Sequence, residues 1–339
     1  MRHGKTPAGP YCLLALAVLA VGVVTGLESR AWRGAAFPGF FLLPNRVIAS
    51  ISLPGWAASG NGRPLYQAVL TRVDDTPVDS TPAAAAAMAA HAPAAPVRLS
   101  VRRLAGDETL DVPVRRFTET EWWLIFGAYL VCGAAFLGVG TMAATRGTGA
   151  WAGGVASFCL VVALFLFTAL DLYGAGRFFR LHALAECFLA AVATHLMLVC
   201  PTVHPAARVG RRFAYGMAAA LAVVYQGLLF DPIGYVLVHN LAQALGLVPV
   251  IALVYRLMEA LDAPPVELGM RGVYWMVAGT LPGVLVPGIL LGLSGLTGGQ
   301  LQVNPGVWFG VLFPLGVSVA VRRRAAAVTV EGAKLPALA

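Results

Sequence analysis

The sequence predicts an α-helical integral membrane protein of about eight spans, with a small extracytoplasmic α+β domain between spans one and two. Three observations predict it. The first is composition. The chain is 58% hydrophobic and 12% charged, with a mean hydropathy of +0.76. A soluble domain carries about twice that charged fraction, so the surplus apolar surface has to face lipid or other membrane helices. The second is layout: one apolar segment, about 90 polar residues, then seven more apolar segments. The third is the placement of positive charge. With a cytoplasmic N-terminus and alternating sides, 12 of the 24 basic residues fall inside, and only Arg177 and Arg180 fall in short outer loops. The other 10 lie in the polar segment, which is long enough to be translocated whatever its charge. The net charge of +8 is therefore a topology signal, and nucleic acid is not an expected partner.

Residues 1–27 form a basic N-terminus and the first apolar segment, Leu13–Gly26. It is short enough to suit either a retained signal-anchor, the favoured reading, or a cleavable signal peptide. Residues 28–120 form the outer domain. Val47–Leu53 alternates weakly and Tyr66–Val73 is strand-like, followed by the turn Asp74-Asp75-Thr76-Pro77. Ser80-Thr81-Pro82 starts a helix, with a hydroxyl cap and proline in the first turn. The alanine run Ala83–Ala87 favours helix. Val97–Val101 and Leu110–Val114 alternate as strands joined at Gly106-Asp107.

Residues 121–321 hold seven spans, at about Trp122–Thr145, Trp151–Leu170, Leu181–Cys200, Phe213–Phe230, Ile233–Tyr255, Gly272–Leu293 and Val303–Val321. Each is long enough for a ~30 Å hydrocarbon core at ~1.5 Å per residue. Trp122, Trp123 and Trp151 sit at span ends, as an aromatic belt requires. Residues 322–339 form a short cytoplasmic tail opened by Arg322-Arg323-Arg324. The five cysteines, Cys12, Cys132, Cys159, Cys187 and Cys200, lie in or beside apolar spans, where they serve as small buried residues.

Ionisable groups inside spans are costly and so are functional candidates. Glu186 lies about five residues into its span, roughly 7 Å deep at the helical rise, and His182 is one turn earlier on the same face. His239 enters a neighbouring span from the same side, with Asn240 and Gln243 extending its polar stripe. Asp171, Arg177, Arg180, Gln226 and Asp231 surround that outer end. The set His182, Glu186, His239, Asn240 and Gln243 forms a candidate ligand- or proton-sensing cup; the plainer reading is interhelical hydrogen bonding that holds the bundle. His195, on the opposite face and nearer the cytoplasm, reads as structural. Pro282 and Pro287 interrupt one span and are candidate hinges; Pro249 and Pro314 interrupt its neighbours.

Gly292-Leu293-Ser294-Gly295 matches the G-x-S-G of rhomboid proteases, but no histidine base follows it, and no H-E-x-x-H or P-loop occurs. No catalytic residue, metal site or cofactor is expected. The expected partners are membrane lipid, a separate kinase or membrane protein, and an extracytoplasmic peptide or small ligand. A membrane scaffold or a transporter is the alternative.

Two resemblances sharpen these expectations. Val73-Asp74-Asp75-Thr76-Pro77-Val78 resembles the V-D/N-G-x-P-V turn of PDZ domains, and Pro96-Val97-Arg98-Leu99-Ser100-Val101-Arg102-Arg103 their P-V-x-L-x-V-x-R strand. Where that family has Gly-Asp before the turn strand, this chain has Gln67-Ala68. More broadly, the chain is similar to the membrane sensor region of bacterial histidine kinases of the competence-pheromone receptor type. Those kinases combine an outer PDZ-like domain with seven following helices. The matching stretches are Phe37-Pro38-Gly39-Phe40 to Leu43-Pro44-Asn45, Phe117-Thr118 into Trp122-Trp123, and His195 to Cys200-Pro201. Tyr235 to His239-Asn240 and Leu312-Phe313-Pro314 running to Arg322–Arg324 complete the set. The resemblance implies a two-component sensor in a bacterial inner membrane. No histidine follows His239, so the phosphoacceptor and the ATP-binding module of that family are not expected in this chain.

Overall fold

In the computed structural model, residues 8–60, 64–92, 94–103, 106–147, 149–265 and 268–321 are described. The tail at Arg322–Ala339 and the extreme N-terminus lie outside them. Helix α1 (Ala8–Ser29) opens the chain. Residues 36–116 then build the small domain from strands β1 (Ala36–Phe37), β2 (Val69–Val73) and β3 (Thr76–Pro77), helix α2 (Thr81–Ala89), and strands β4 (Pro96–Arg103), β5 (Gly106–Pro113) and β6 (Arg115–Arg116). The four-stranded sheet has the order β3-β2-β4-β5, all antiparallel, and β1 pairs with β6 separately. The expected alternation is visible in β4, where Val97, Leu99 and Val101 are buried and their neighbours face outward. Ser80 caps α2 by accepting from the Ala83 amide, as its sequence requires.

One strand expectation fails. Val47–Leu53 forms no regular strand; only the isolated bridges Leu42↔Ile48 and Val47↔Val69 touch it. Val47, Ile48 and Ala49 bond to Leu43, Ala68, Gln67 and Phe41 of the small domain, but beyond them the polar groups turn to the bundle. The Ser52 amide bonds Asn304 Oδ1 at 3.1 Å and the Val303 amide bonds the Ser50 carbonyl at 3.1 Å. These contacts with the helical part take the place of a ladder.

Ten further helices follow the small domain among the described residues. Helix α3 (Glu119–Trp122) begins with a capping box of Thr118 and Glu121 and runs through a π-helical turn into α4 (Ala128–Arg146). Next come α5 (Ala150–Asp171), α6 (Phe179–Val199), α7 (Ala207–Leu228), α8 (Pro232–Leu245) and α9 (Leu247–Asp262). The last are α10 (Gly269–Thr280), α11 (Val286–Leu296) and α12 (Pro305–Gly310). Among the described residues, six helical stretches are long and apolar enough to cross a membrane. They are Gly9–Trp32, Glu119–Arg146, Ala150–Asp171, Phe179–Val199, Pro232–Asp262 and Gly269–Leu296. Two expected spans fall short of that standard. Helix α7 starts before Phe213 and takes in Arg208, Arg211 and Arg212, which lower its apolarity. The last apolar helix, Pro305–Val321, is shorter than a full span. Large side chains on the outward faces are apolar: Val209, Phe213 and Val223 on α7, and Ile233, Leu237 and Val248 on α8 and α9, are all exposed.

The small domain is seated on one end of the bundle. Phe37, Phe41, Trp56 and Phe117 meet Phe126 and Tyr173 in an aromatic cluster, with Phe41 and Tyr173 stacked at 4.7 Å. Asn45 Nδ2 donates to the Leu229 carbonyl at 3.0 Å, and Asn304 exchanges two bonds with the backbone of Ser52. The loops after α5, α7 and α11 therefore all lie at the small-domain end.

Candidate functional site

Helices α6, α7 and α8 bring the site together. Glu186 is central and buried. The Tyr225 hydroxyl donates to its Oε2 at 2.7 Å, and His239 Nδ1 lies 2.9 Å from its Oε1. Gln243, one turn beyond His239, places its Nε2 2.9 Å from His239 Nε2 and 3.5 Å from Glu186 Oε1. His239 thus turns Nδ1 to the carboxylate and Nε2 to the Gln243 amide. Tyr235 stacks on the His239 ring at 5.2 Å between centroids and holds its plane.

His182 shares the face and the cavity wall with Glu186, as its spacing requires. Its hydrogen-bond partner, however, is Thr168 of α5, 3.0 Å from Nδ1, and Phe165 stacks on its ring. Asn240 corrects the expected stripe. It forms a reciprocal amide pair with Gln67 of the small domain, at 2.7 and 2.9 Å. One residue along a helix turns the side chain by about 100°, so Asn240 leaves the face that His239 and Gln243 share four residues apart. His195 lies apart from the cluster, with Nδ1 3.2 Å from the Tyr215 hydroxyl. Sequence reasoning missed Tyr225, Thr168 and Gln67. Tyrosine and threonine are ordinary in membrane helices, and neither carries a charge that would single it out.

The surrounding polar residues have local tasks. Asp171 accepts from the Phe178 amide, Asp231 caps α8 through the Gly234 amide, and Arg180 pairs with Gln226. Arg177 bridges to Glu28 at the end of α1. Pro282 lies in the π-helical segment Leu281–Leu285, and Pro287 stands in the first turn of α11. Ser294 is buried and donates to the Leu301 carbonyl at 3.2 Å, a turn-closing role. Among the described residues, no group of three or more His, Cys, Asp or Glu side chains is placed to hold a metal.

These groups end a cavity of about 190 Å³ between the bundle and the small domain. Leu43, Ala49, Ser50 and Ile51 of the small domain roof it. Phe136, Phe158, Phe165 and Tyr173 form an aromatic wall, and Pro287, Gly288 and Val307 close another side. His182, Glu186, His239 and Gln243 supply its polar end. Such an apolar chamber with a few convergent polar groups has the composition of a small-molecule site. No protein-family model, curated protein or solved structure matches the chain.

Proposed function

We propose that this chain is a non-catalytic membrane receptor, the signal-input part of a histidine-kinase-type system in a bacterial cytoplasmic membrane. One observation carries the reading: the cavity has walls from both the small domain and the bundle. A molecule held there touches both bodies at once, so its binding energy favours one arrangement of the domain on the helices. The π-helical segment around Pro282, with Pro287 beside it on the cavity wall, supplies an irregular helix that can bend.

In this reading α7 and the Pro305–Val321 helix also cross the membrane, which makes eight spans, with both termini cytoplasmic and the small domain outside. The alternation of loops toward and away from the small domain supports that count. The small domain is read as PDZ-like. Its antiparallel sheet with one flanking helix supports this, as does Gln67. That residue stands where the resemblance would have glycine, and it adopts φ +59°, a conformation glycine favours.

The test is isolation of the tagged chain from native membranes in mild detergent. A kinase or another membrane protein is expected to co-purify. Repeated isolation of the chain alone, together with solute transport in liposomes, would replace the receptor with a transporter.

A further inference from the structure

The cavity's polar end contains one group that the protein leaves unmatched. Both nitrogens of His239 are engaged, by Glu186 and by Gln243. The Glu186 carboxylate receives Tyr225, His239 and the Gln243 amide. His182 is engaged by Thr168. Gln243 Oε1 is buried without a hydrogen-bond partner, on a side chain that is only 8% exposed. A buried acceptor left unpaired is unfavourable and rare, and Gln243 lines the cavity. A ligand there should therefore bring a donor.

Charge narrows the choice. The Glu186 carboxylate faces this end of the cavity, and no lysine or arginine is among the residues that line it. A buried carboxylate in an apolar chamber calls for a positive partner. Size narrows it further. A cavity of about 150 Å³ accepts a benzene ring, and this one, at about 190 Å³, has room for a ring and a short chain.

We propose that the cavity binds a small apolar primary amine, its hydrocarbon body against the aromatic wall and its ammonium between Gln243 Oε1 and Glu186. This rests on the ligand-receiving reading of the site given above.

The test uses the full chain in phosphatidylcholine nanodiscs, with empty discs to subtract partitioning. Equilibrium dialysis would compare 3-phenylpropylamine, 3-phenylpropanol and propylbenzene. The amine is expected to saturate one site per chain and to bind about tenfold more tightly than the alcohol, since a charge-assisted contact replaces a neutral one. Glu186→Gln should erase that preference. Ala49→Leu, which fills the roof without touching the polar end, should weaken all three probes, and a thermal melt of each variant checks its fold. Equal affinity for amine and alcohol in the wild type, or no saturable binding above empty discs, overturns the proposal. So does a stoichiometric phospholipid that co-purifies with the wild type and is lost in Ala49→Leu. If a signalling partner still co-purifies while the amine fails to bind, the ligand class falls and the receptor reading stands.

Discussion

At the scale of the residue, Glu186 sets the terms for its neighbours. It is buried among helices, so each hydrogen bond it receives replaces water that cannot follow it. Tyr225 and His239 each reach it within 3.0 Å. Removing one of them leaves the carboxylate underserved. His239→Ala is expected to lower stability by about 1.5–3 kcal/mol, the range for hydrogen bonds to charged groups. The paired change Glu186→Leu with His239→Leu should cost less than the single one, because no charge is then stranded. Unfolding titrations in mixed micelles would measure both. Equal losses would mean that the pair contributes only packing. The amide pair of Gln67 and Asn240 is the second residue-scale device. It ties a strained turn of the small domain to α8, and a Cβ on Gly299 would collide with the Gln67 side chain. Close approach explains glycine at that position, whose φ of +75° also favours it.

At the scale of the element, helix α1 shows how small residues position a span. Without a hydrophobic drive between helices in lipid, close contact does the work. Gly22 lies against the Phe167 ring, which Gly133 of α4 meets from the other side. Gly26 lies against Leu130. At the ends of α1, the Tyr11 hydroxyl donates to the Ala156 carbonyl, and the Ser29 carbonyl accepts from Trp122 Nε1 at 3.0 Å. Gly22→Leu adds a branched side chain where a single Cβ would already sit 2.7 Å from Phe167. It should push α1 away and lower the thermal midpoint in detergent, whereas Gly9→Leu, in open space, should not. Equal midpoints for the two variants would show that α1 is loosely held. The break between α8 and α9 has a similarly local cause. Pro249 has no amide hydrogen to give to the Leu245 carbonyl, and the helix is interrupted at Gly246.

At the scale of the whole molecule, the proposed map can be checked directly. Reporter fusions after Gly60 should read as extracytoplasmic, and fusions after Arg212 and Arg324 as cytoplasmic. A cytoplasmic reading at Gly60 would invert the map and place the cavity's roof on the wrong side for an external ligand. The seating of the small domain makes the map matter. The aromatic cluster around Phe41 and the polar contacts of Asn45, Ser52 and Asn304 form a joint that is buried rather than solvated. The cavity roof, through Leu43, Ala49 and Ile51, belongs to the same buried cluster as the bundle core, whereas the sheet has a core of its own.

Much was legible in the sequence, for reasons that are local. Apolar length marks a helix long enough to span, Ser80 followed by Pro82 marks a helix start, and alternation in Pro96–Arg103 marks a half-buried strand. Each depends on neighbours within a few residues. Depth in the bilayer is also a count along the chain, which is why Glu186 and His239 could be paired before any contact was visible. Tertiary structure alone decided the rest. It brought Tyr225 to Glu186, gave Thr168 to His182, and turned Asn240 away to Gln67. It also left Val47–Ala49 bonded within the small domain and tied Ser50 and Ser52 to the bundle. Those outcomes depend on the rotation of each helix about its axis and on which elements become neighbours. Packing over the whole molecule sets both, and no short stretch of sequence encodes them.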